Sequence, residues 1–311
     1  MAVSLPATAD YSQHPSAIAL MDKMEVEHQY DREQLLVIFR AANKEPKNLK
    51  SMANSAEKVK PWYEYRKHFI TDARVKGAVK FISTYGDALD RAEAEYGVPP
   101  QMITAIIGVE TNFGSYTGKA SVLDALSTLA FDHPTRGKFF TSELEEYLLL
   151  VRDRDWQAAE LKGSYAGAMG LAQFMPSNYR RLAVDFDGDG VVDLHNPVDA
   201  IGSVANYFSH HGWKGGEAVA NLAVTVDGFD TSQLTQGIKT TSSIGELAQA
   251  GYLSRVAYSP STPAMVMEFE GEKAAEYWIG LNNFYVVARY NPRQKYAMAV
   301  YQLSEEIREA L

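Results

Sequence analysis

Residues 96–114 read YGVPPQMITAIIGVETNFG, and the remaining sequence is best read outward from them. Upstream, Val75, Val79, Ile82, Tyr85, Leu89, Ala92 and Tyr96 recur at helical spacing, which predicts one long helix closed by Gly97. Val98-Pro99-Pro100 then restarts the chain, since proline suits a first helical turn. The run MITAIIGV is apolar on nearly every side, so the spacing predicts a buried central helix ending in Glu110. A carboxyl there is desolvated and sits at the negative end of the helix dipole; both effects disfavour its charge, as a general acid requires. Thr111-Asn112-Phe113-Gly114 is turn-forming and would open the carboxyl to a cleft. The alternative is a structural glutamate hydrogen-bonded into the core, and position alone leaves both open. No second carboxylate lies within five residues of Glu110, so a two-carboxylate glycosidase would need a partner from elsewhere in the chain.

Toward the N-terminus the chain reads as polar helix, with Asp31 and Gln34 at capping-box spacing before LLVIFRAA. The aromatic stretch PWYEYRKHF (61–69) reads as a packing anchor or a sugar-stacking surface. Toward the C-terminus, helices are expected near 121–131 and 142–152, and another from Pro197, capped by Asn196 and ended by Gly212. Residues 163–176, GSYAGAMGLAQFMP, are small and glycine-rich without the spacing of a phosphate loop; they predict close backbone approach, with Ser164 and Gln173 as the polar groups. Beyond 219 the runs NLAVTV, AMVMEFE and FYVVAR look like strands, with a short helix near 243–250 and a final helix from YAMAVYQL onward. This divides the chain into a helical N-terminal domain (1–74, joined by helices from about 120–160), a core (75–218 with 275–311) and a small β-containing domain (219–274).

Residues 185–199, DFDGDGVVDLHNPVD, open like a calcium-binding EF-hand loop. Asp185, Asp187 and Asp189 alternate, Gly190 sits at the sixth position, and Val191 follows with a backbone carbonyl. The twelfth position is Asn196 rather than the usual bidentate Glu, and Asp199 is the replacement. The expected cation is a structural Ca²⁺, with Na⁺ as the alternative; the bland alternative is an acidic solvated turn.

With 30 basic against 39 acidic residues and a formal charge of −9, the chain is a poor non-specific binder of nucleic acid. Cysteine is absent, which excludes disulfides, thiolate metal sites and a cysteine nucleophile. No apolar run is long enough for a transmembrane segment. The N-terminal residues show neither the basic nor the apolar region of an export signal.

Taken together, YGVPPQMITAIIGVETNFG, GSYAGAMGLAQFMPSNY, the Asp loop with NPVDAIGSVANYF, and NNFYVVARYN followed by YAMAVYQL resemble the B-type lytic murein transglycosylases, membrane-bound and soluble. The resemblance spans about residues 60–311. It implies an α+β, mainly helical protein: a lysozyme-like catalytic core, a helical N-terminal domain and a small β-containing domain. It implies an enzyme that cleaves the β-1,4 MurNAc–GlcNAc bond of peptidoglycan without water, giving 1,6-anhydromuramyl products. Glu110 falls on the family's catalytic acid/base. Ser164, Gln173, Tyr207, Tyr290 and Asn291 fall on sugar contacts, Arg136 on a looser strand contact. Asp185, Asp187, Asp189, Val191 and Asp199 fall on the cation loop. No organic cofactor is implied; the partners are glycan strands and, as candidates, other cell-wall enzymes. The implied location is the periplasm, and without cysteine a lipoprotein anchor is not supported. A hydrolytic muramidase and a non-catalytic peptidoglycan-binding protein are the competing readings.

Overall fold

The computed structural model describes residues 10–53 and 60–311. Residues 1–9 and 54–59, part of the segment read as polar helix, lie outside the described residues. The chain folds into two compact units. One joins the N-terminal segment, through Ser55, to Tyr116–Leu182; the other joins Ala56–Ser115 to Ala183–Leu311. Described residues 60–74 group with the second unit.

In the first unit, helices Pro15–His28, Arg32–Ala41 and Pro46–Ala53 are followed, after the stretch that belongs to the second unit, by Val122–Asp132, Gly137–Asp153 and Pro176–Leu182. The expected caps form: Asp31 accepts from the Gln34 amide and Ser121 from the Asp124 amide. The Val122–Asp132 and Gly137–Asp153 helices pack together and bury Leu123, Leu126, Leu129, Leu144 and Leu148. Two carboxylates tie the N-terminal segment to these helices. Asp132 accepts from Tyr11 Oη and Lys44 Nζ, both at 2.6 Å. Glu145 accepts from Lys23 Nζ at 2.6 Å and faces His28 Nε2 at 2.9 Å.

Burial alone would raise both carboxyls, but these partners hold them below their ordinary values. A carboxyl depressed in the folded state favours folding above its unfolded pKa, about 4, and gives that up as pH falls through the folded value. The thermal midpoint should therefore drop between about pH 5 and pH 3, and Asp132→Asn with Glu145→Gln should flatten that drop. A pH series of melting curves on both proteins checks this; equal slopes would contradict it.

In the second unit, helix Asp72–Tyr96 is kinked at Tyr85 (φ −117°, ψ 25°). Its buried face is Ala78, Phe81, Leu89 and Ala92, so the predicted stripe holds only in the second half. The kink resets the helical phase, and Val75, Val79 and Ile82 are left half-buried. Gly97 ends the helix in the left-handed region (φ 71°). Helix Pro100–Thr111 buries Met102 through Gly108 without interruption, packed between Asp72–Tyr96 and the last helix, Gln294–Ala310. Helix Pro197–His210 starts at the Asn196 cap, as expected.

The sheet is antiparallel, in the order Ser242–Ser243, Pro263–Glu270, Ala275–Gly280, Ala220–Thr225, Tyr252–Ser254. FYVVAR is not a strand: it lies in helix Asn282–Tyr290 and buries Phe284, Val287 and Ala288 at helical spacing. The third strand is AEYWIG instead, so the sheet runs to Gly280 rather than stopping at 274. Burial of one helical face overrides the β-propensity of Val286-Val287. Trp62 and Tyr65 are fully buried, with Trp62 5.1 Å from Phe269 of the sheet, so the aromatic stretch packs rather than displays itself.

Candidate active site

Glu110 occupies the last turn of helix Pro100–Thr111 and is half-buried, directly after the buried run. The helix stops abruptly because Asn112, Phe113 and Gly114 all have positive φ (50°, 59° and 82°). Two successive non-glycine residues in that region are costly and need support. Phe113 supplies it: a Cβ added at Gly77 or at Gly108 would stand 2.8 Å from its ring, so the two glycines make the slot that seats it. The buried Thr111 hydroxyl bonds the Ile107 carbonyl and accepts from the Gly114 amide, both at 3.1 Å. The carboxyl is thereby placed at the end of a rigid rod with the chain turned away from it.

Tyr296, 3% exposed on the last helix, donates its hydroxyl to Glu110 Oε1 at 2.5 Å. Burial holds the Tyr296 and Tyr290 hydroxyls well above the ordinary tyrosine value, and the charge of Glu110 raises them further. Tyr296 therefore remains a donor at neutral pH. Tyr207 stands 4.7 Å from Tyr290, ring to ring. Its hydroxyl bonds the Arg289 carbonyl at 2.8 Å and the residue is 3% exposed, so its ring backs Tyr290 from inside. Asn291 follows in extended backbone, half-buried, where the Asn282–Tyr290 helix ends.

Ser164 and Gln173 lie in the first unit, on the glycine-rich loop. Its glycines permit close backbone approach, as expected: a Cβ on Gly163 would stand 2.3 Å from the Ala168 carbonyl oxygen. Ser164 Oγ accepts from the Ala168 amide at 3.0 Å, which leaves its proton for another acceptor. Gln173, with φ 49°, donates from Nε2 to the Gly170 and Thr117 carbonyls (2.8 and 3.1 Å), which presents its Oε1 as an acceptor. Glu143 was not evident from sequence. It is buried and accepts from Ser177 N and Oγ (3.0 and 2.8 Å), anchoring the helix that follows this loop. Arg136, also in this unit, is exposed, its guanidinium over the Phe139 and Phe140 rings at 4.8 and 5.0 Å.

In the Asp-rich loop, side-chain oxygens of Asp185, Asp187 and Asp199 lie within 4.8 Å of one another. Asp199 is fully buried and accepts from the amides of Phe186 (2.7 Å), Asp187 (3.3 Å) and Asp193 (2.7 Å). Asp185 accepts from the amides of Gly188, Asp189 and Gly190. Gly188 and Gly190 have φ of 79° and 89° with open space around them, so backbone conformation, not crowding, calls for glycine. Asp189 and Val191 are exposed; Asp189 Oδ1 bonds the Val191 amide at 2.7 Å and lies outside the close triplet. The donor set is all oxygen, as a hard cation prefers.

The transglycosylase SLT domain family matches residues 13–305. The chain belongs to that family. This transglycosylase is 45% identical to the membrane-bound lytic murein transglycosylase B of Escherichia coli (strain K12) over 307 residues, 96% of this chain and 84% of that protein. Its fold is similar to the catenated lytic transglycosylase SltB1 of Pseudomonas aeruginosa (TM-score 0.92, 48% identity, 97% and 99% of the two chains covered). It is also similar to the E. coli lytic transglycosylase Slt35 in complex with calcium (TM-score 0.88, 44% identity, 97% and 96% covered). The mainly helical α+β architecture with a lysozyme-like core is common to them.

Within this SLT transglycosylase, Glu110, Tyr207, Tyr290 and Asn291 share one unit, while Ser164, Gln173 and Arg136 belong to the other. Tyr296 escaped sequence reading. Its place in a stripe with Val300, Leu303 and Ile307 makes it look like core, and only the fold shows its hydroxyl on the carboxylate.

Proposed function

We propose that this transglycosylase cleaves the β-1,4 bond between MurNAc and GlcNAc in peptidoglycan glycan strands, with Glu110 as acid and then base. The observation that carries this is the half-buried carboxyl at the end of the buried helix with a buried tyrosine hydroxyl, its pKa raised by burial, donating to one of its oxygens. In this reading Glu110 carries the mobile proton while Tyr296 donates to its Oε1. Protonated Glu110 donates it to the glycosidic oxygen as the C–O bond breaks, and positive charge develops at the muramyl anomeric carbon. The ionised carboxylate then removes the proton of the muramyl C6 hydroxyl, whose oxygen closes the 1,6-anhydro ring. The nucleophile is part of the substrate, so no second base is needed to activate water.

Ser164 donates to the strand and Gln173 accepts from it. Tyr290, backed by Tyr207, and Asn291 contact the sugars, and Arg136 contacts the strand further along. The loop formed by Asp185, Asp187, Asp189, Asp199 and the Val191 carbonyl holds a structural Ca²⁺, for which Na⁺ is the weaker alternative; it takes no part in the chemistry. The substrate places the enzyme in the periplasm.

Mass spectrometry of fragments released from purified sacculi tests the reaction. Anhydro products are lighter by one water than the products of a hydrolytic muramidase. Fragments of the hydrolytic mass, or binding without release, would refute the proposal.

A further inference from the structure

A groove of about 500 Å³ opens in the first unit, within the range of about 300–1,000 Å³ usual for ligand sites. None of the residues assigned above to the glycan strand lines it. One wall is the first half of helix Arg32–Ala41, with Glu33, Gln34, Val37 and Ile38. The other is the turn that follows helix Gly137–Asp153, with Asp155 and Trp156. Val37 is 62% exposed, and Ile38 and Trp156 are half-buried, so the floor is apolar and open to water.

Local bonds fix the groove, and its rim is acidic. Asp155 takes a positive φ (52°) just beyond the helix end, its amide bonds the Arg152 carbonyl at 3.2 Å, and the Trp156 amide returns to the Val151 carbonyl at 2.9 Å. Tyr147 Oη donates to the Ala158 carbonyl at 2.5 Å, which ties down the far end of the turn. The one cation in the lining, Arg152, is committed: its guanidinium bonds the His28 carbonyl at 2.8 Å and lies 5.3 Å from the centre of the Tyr30 ring. The carboxylates are less occupied. Asp31 spends one oxygen on the Gln34 amide, while the side chains of Glu33 and Asp155 form no ion pair or hydrogen bond among the described residues. Trp156 Nε1 likewise has no hydrogen-bond partner among them.

Unpaired carboxylates over an apolar floor complement a ligand with an apolar body and cationic tips, the form of lysine and arginine side chains beside large apolar ones. An anionic ligand would meet three carboxylates against one guanidinium. We propose that the groove docks a partner protein through a short segment bearing basic and large apolar side chains. The apolar side chains lie on Val37, Ile38 and Trp156, the basic ones reach Glu33 and Asp155, and Trp156 Nε1 donates to a carbonyl of the segment. Docking here is independent of the chemistry at Glu110, so the two readings fail separately.

The probe is a dye-labelled peptide, acetyl-KLRFK-amide, with acetyl-KSRSK-amide and acetyl-ELEFE-amide as controls, and its affinity is read by fluorescence anisotropy. Wild type should bind the first at least about tenfold more tightly than either control, since only it offers both charge and apolar area. Glu33→Gln/Asp155→Asn and Val37→Ser should each weaken that binding about fivefold, the worth of two exposed charge pairs or of one lost aliphatic contact. All three positions are exposed, so the melting transition and the rate on sacculi should stay as in wild type. Glu306→Gln/Glu309→Gln removes the same charge from exposed positions on the last helix and should bind as wild type, which separates docking from the general attraction of a cation to a chain of formal charge −9. No preference for acetyl-KLRFK-amide in wild type, groove variants that bind as wild type, or an equal loss in Glu306→Gln/Glu309→Gln would overturn the inference. So would a different occupant: chitotetraose bound in place of the peptide and weakened by the same groove variants, or a wild-type dimer that Val37→Ser dissociates in sedimentation velocity.

Discussion

Glu110→Gln should melt with the wild-type transition and release anhydromuramyl fragments at least about a thousandfold more slowly. General acid and general base assistance are each worth about 10²–10⁴-fold, and here one group supplies both. The substitution is nearly isosteric, and the amide carbonyl can still accept from the Tyr296 hydroxyl, so the surroundings keep their hydrogen bond. What disappears is the exchangeable proton. Tyr296→Phe provides the contrast: it keeps the ring in the core and removes one donor to the carboxyl, so it should slow turnover by about 10–100-fold, the worth of a hydrogen bond to a charged group. Initial rates on sacculi, alongside melting curves, separate the two. A Glu110→Gln protein retaining a tenth of the activity would end the single-carboxylate mechanism.

Asp199→Ala should cost about 3 kcal/mol of stability and lower the thermal midpoint by about 6–12 °C. Its carboxylate is fully buried and accepts three backbone amides from the loop before it, so alanine strands three donors at once. Asp189→Ala, at an exposed position with a local bond to Val191, should cost less than about 1 kcal/mol. Calcium supplies an independent arm. At one hundred times its Kd, a ligand bound only by the folded state adds about 2.7 kcal/mol, so chelation should lower the wild-type midpoint and leave Asp199→Ala unmoved. If wild type melts identically with and without chelator, the loop holds no structural cation, whatever the cost of Asp199→Ala.

Much of the fold was legible because its punctuation is local. Asp31, Gly97, Ser121 and Asn196 act through bonds to residues a few positions away, and Pro100 through its fixed φ at the first helical turn, each where spacing placed it. The misreadings share a different cause. FYVVAR folds as a helix, AEYWIG as a strand and Tyr85 as a kink because partners distant in sequence decide how much of each is buried. The site divides in the same way. Glu110 was visible as a charge after an unbroken apolar run, and the Asp loop as an alternation. The slot that Gly77 and Gly108 make for Phe113 was not visible, because one of its walls comes from 36 residues upstream of the ring. Sequence likewise showed Tyr207 as an aromatic beside a site but not that its hydroxyl points inward to Arg289.

The hydrogen bond between Tyr296 and Glu110 spans 186 residues of chain. On a ribosome the acid is therefore made long before its donor, and the helix bearing Tyr296 must be synthesised and docked before the pair can form. Contacts of such long range also tend to close late in folding. By our reading the enzyme degrades the structure that contains its cell, and this order of assembly keeps the acid from its hydrogen-bond donor until the Gln294–Ala310 helix has been made and docked.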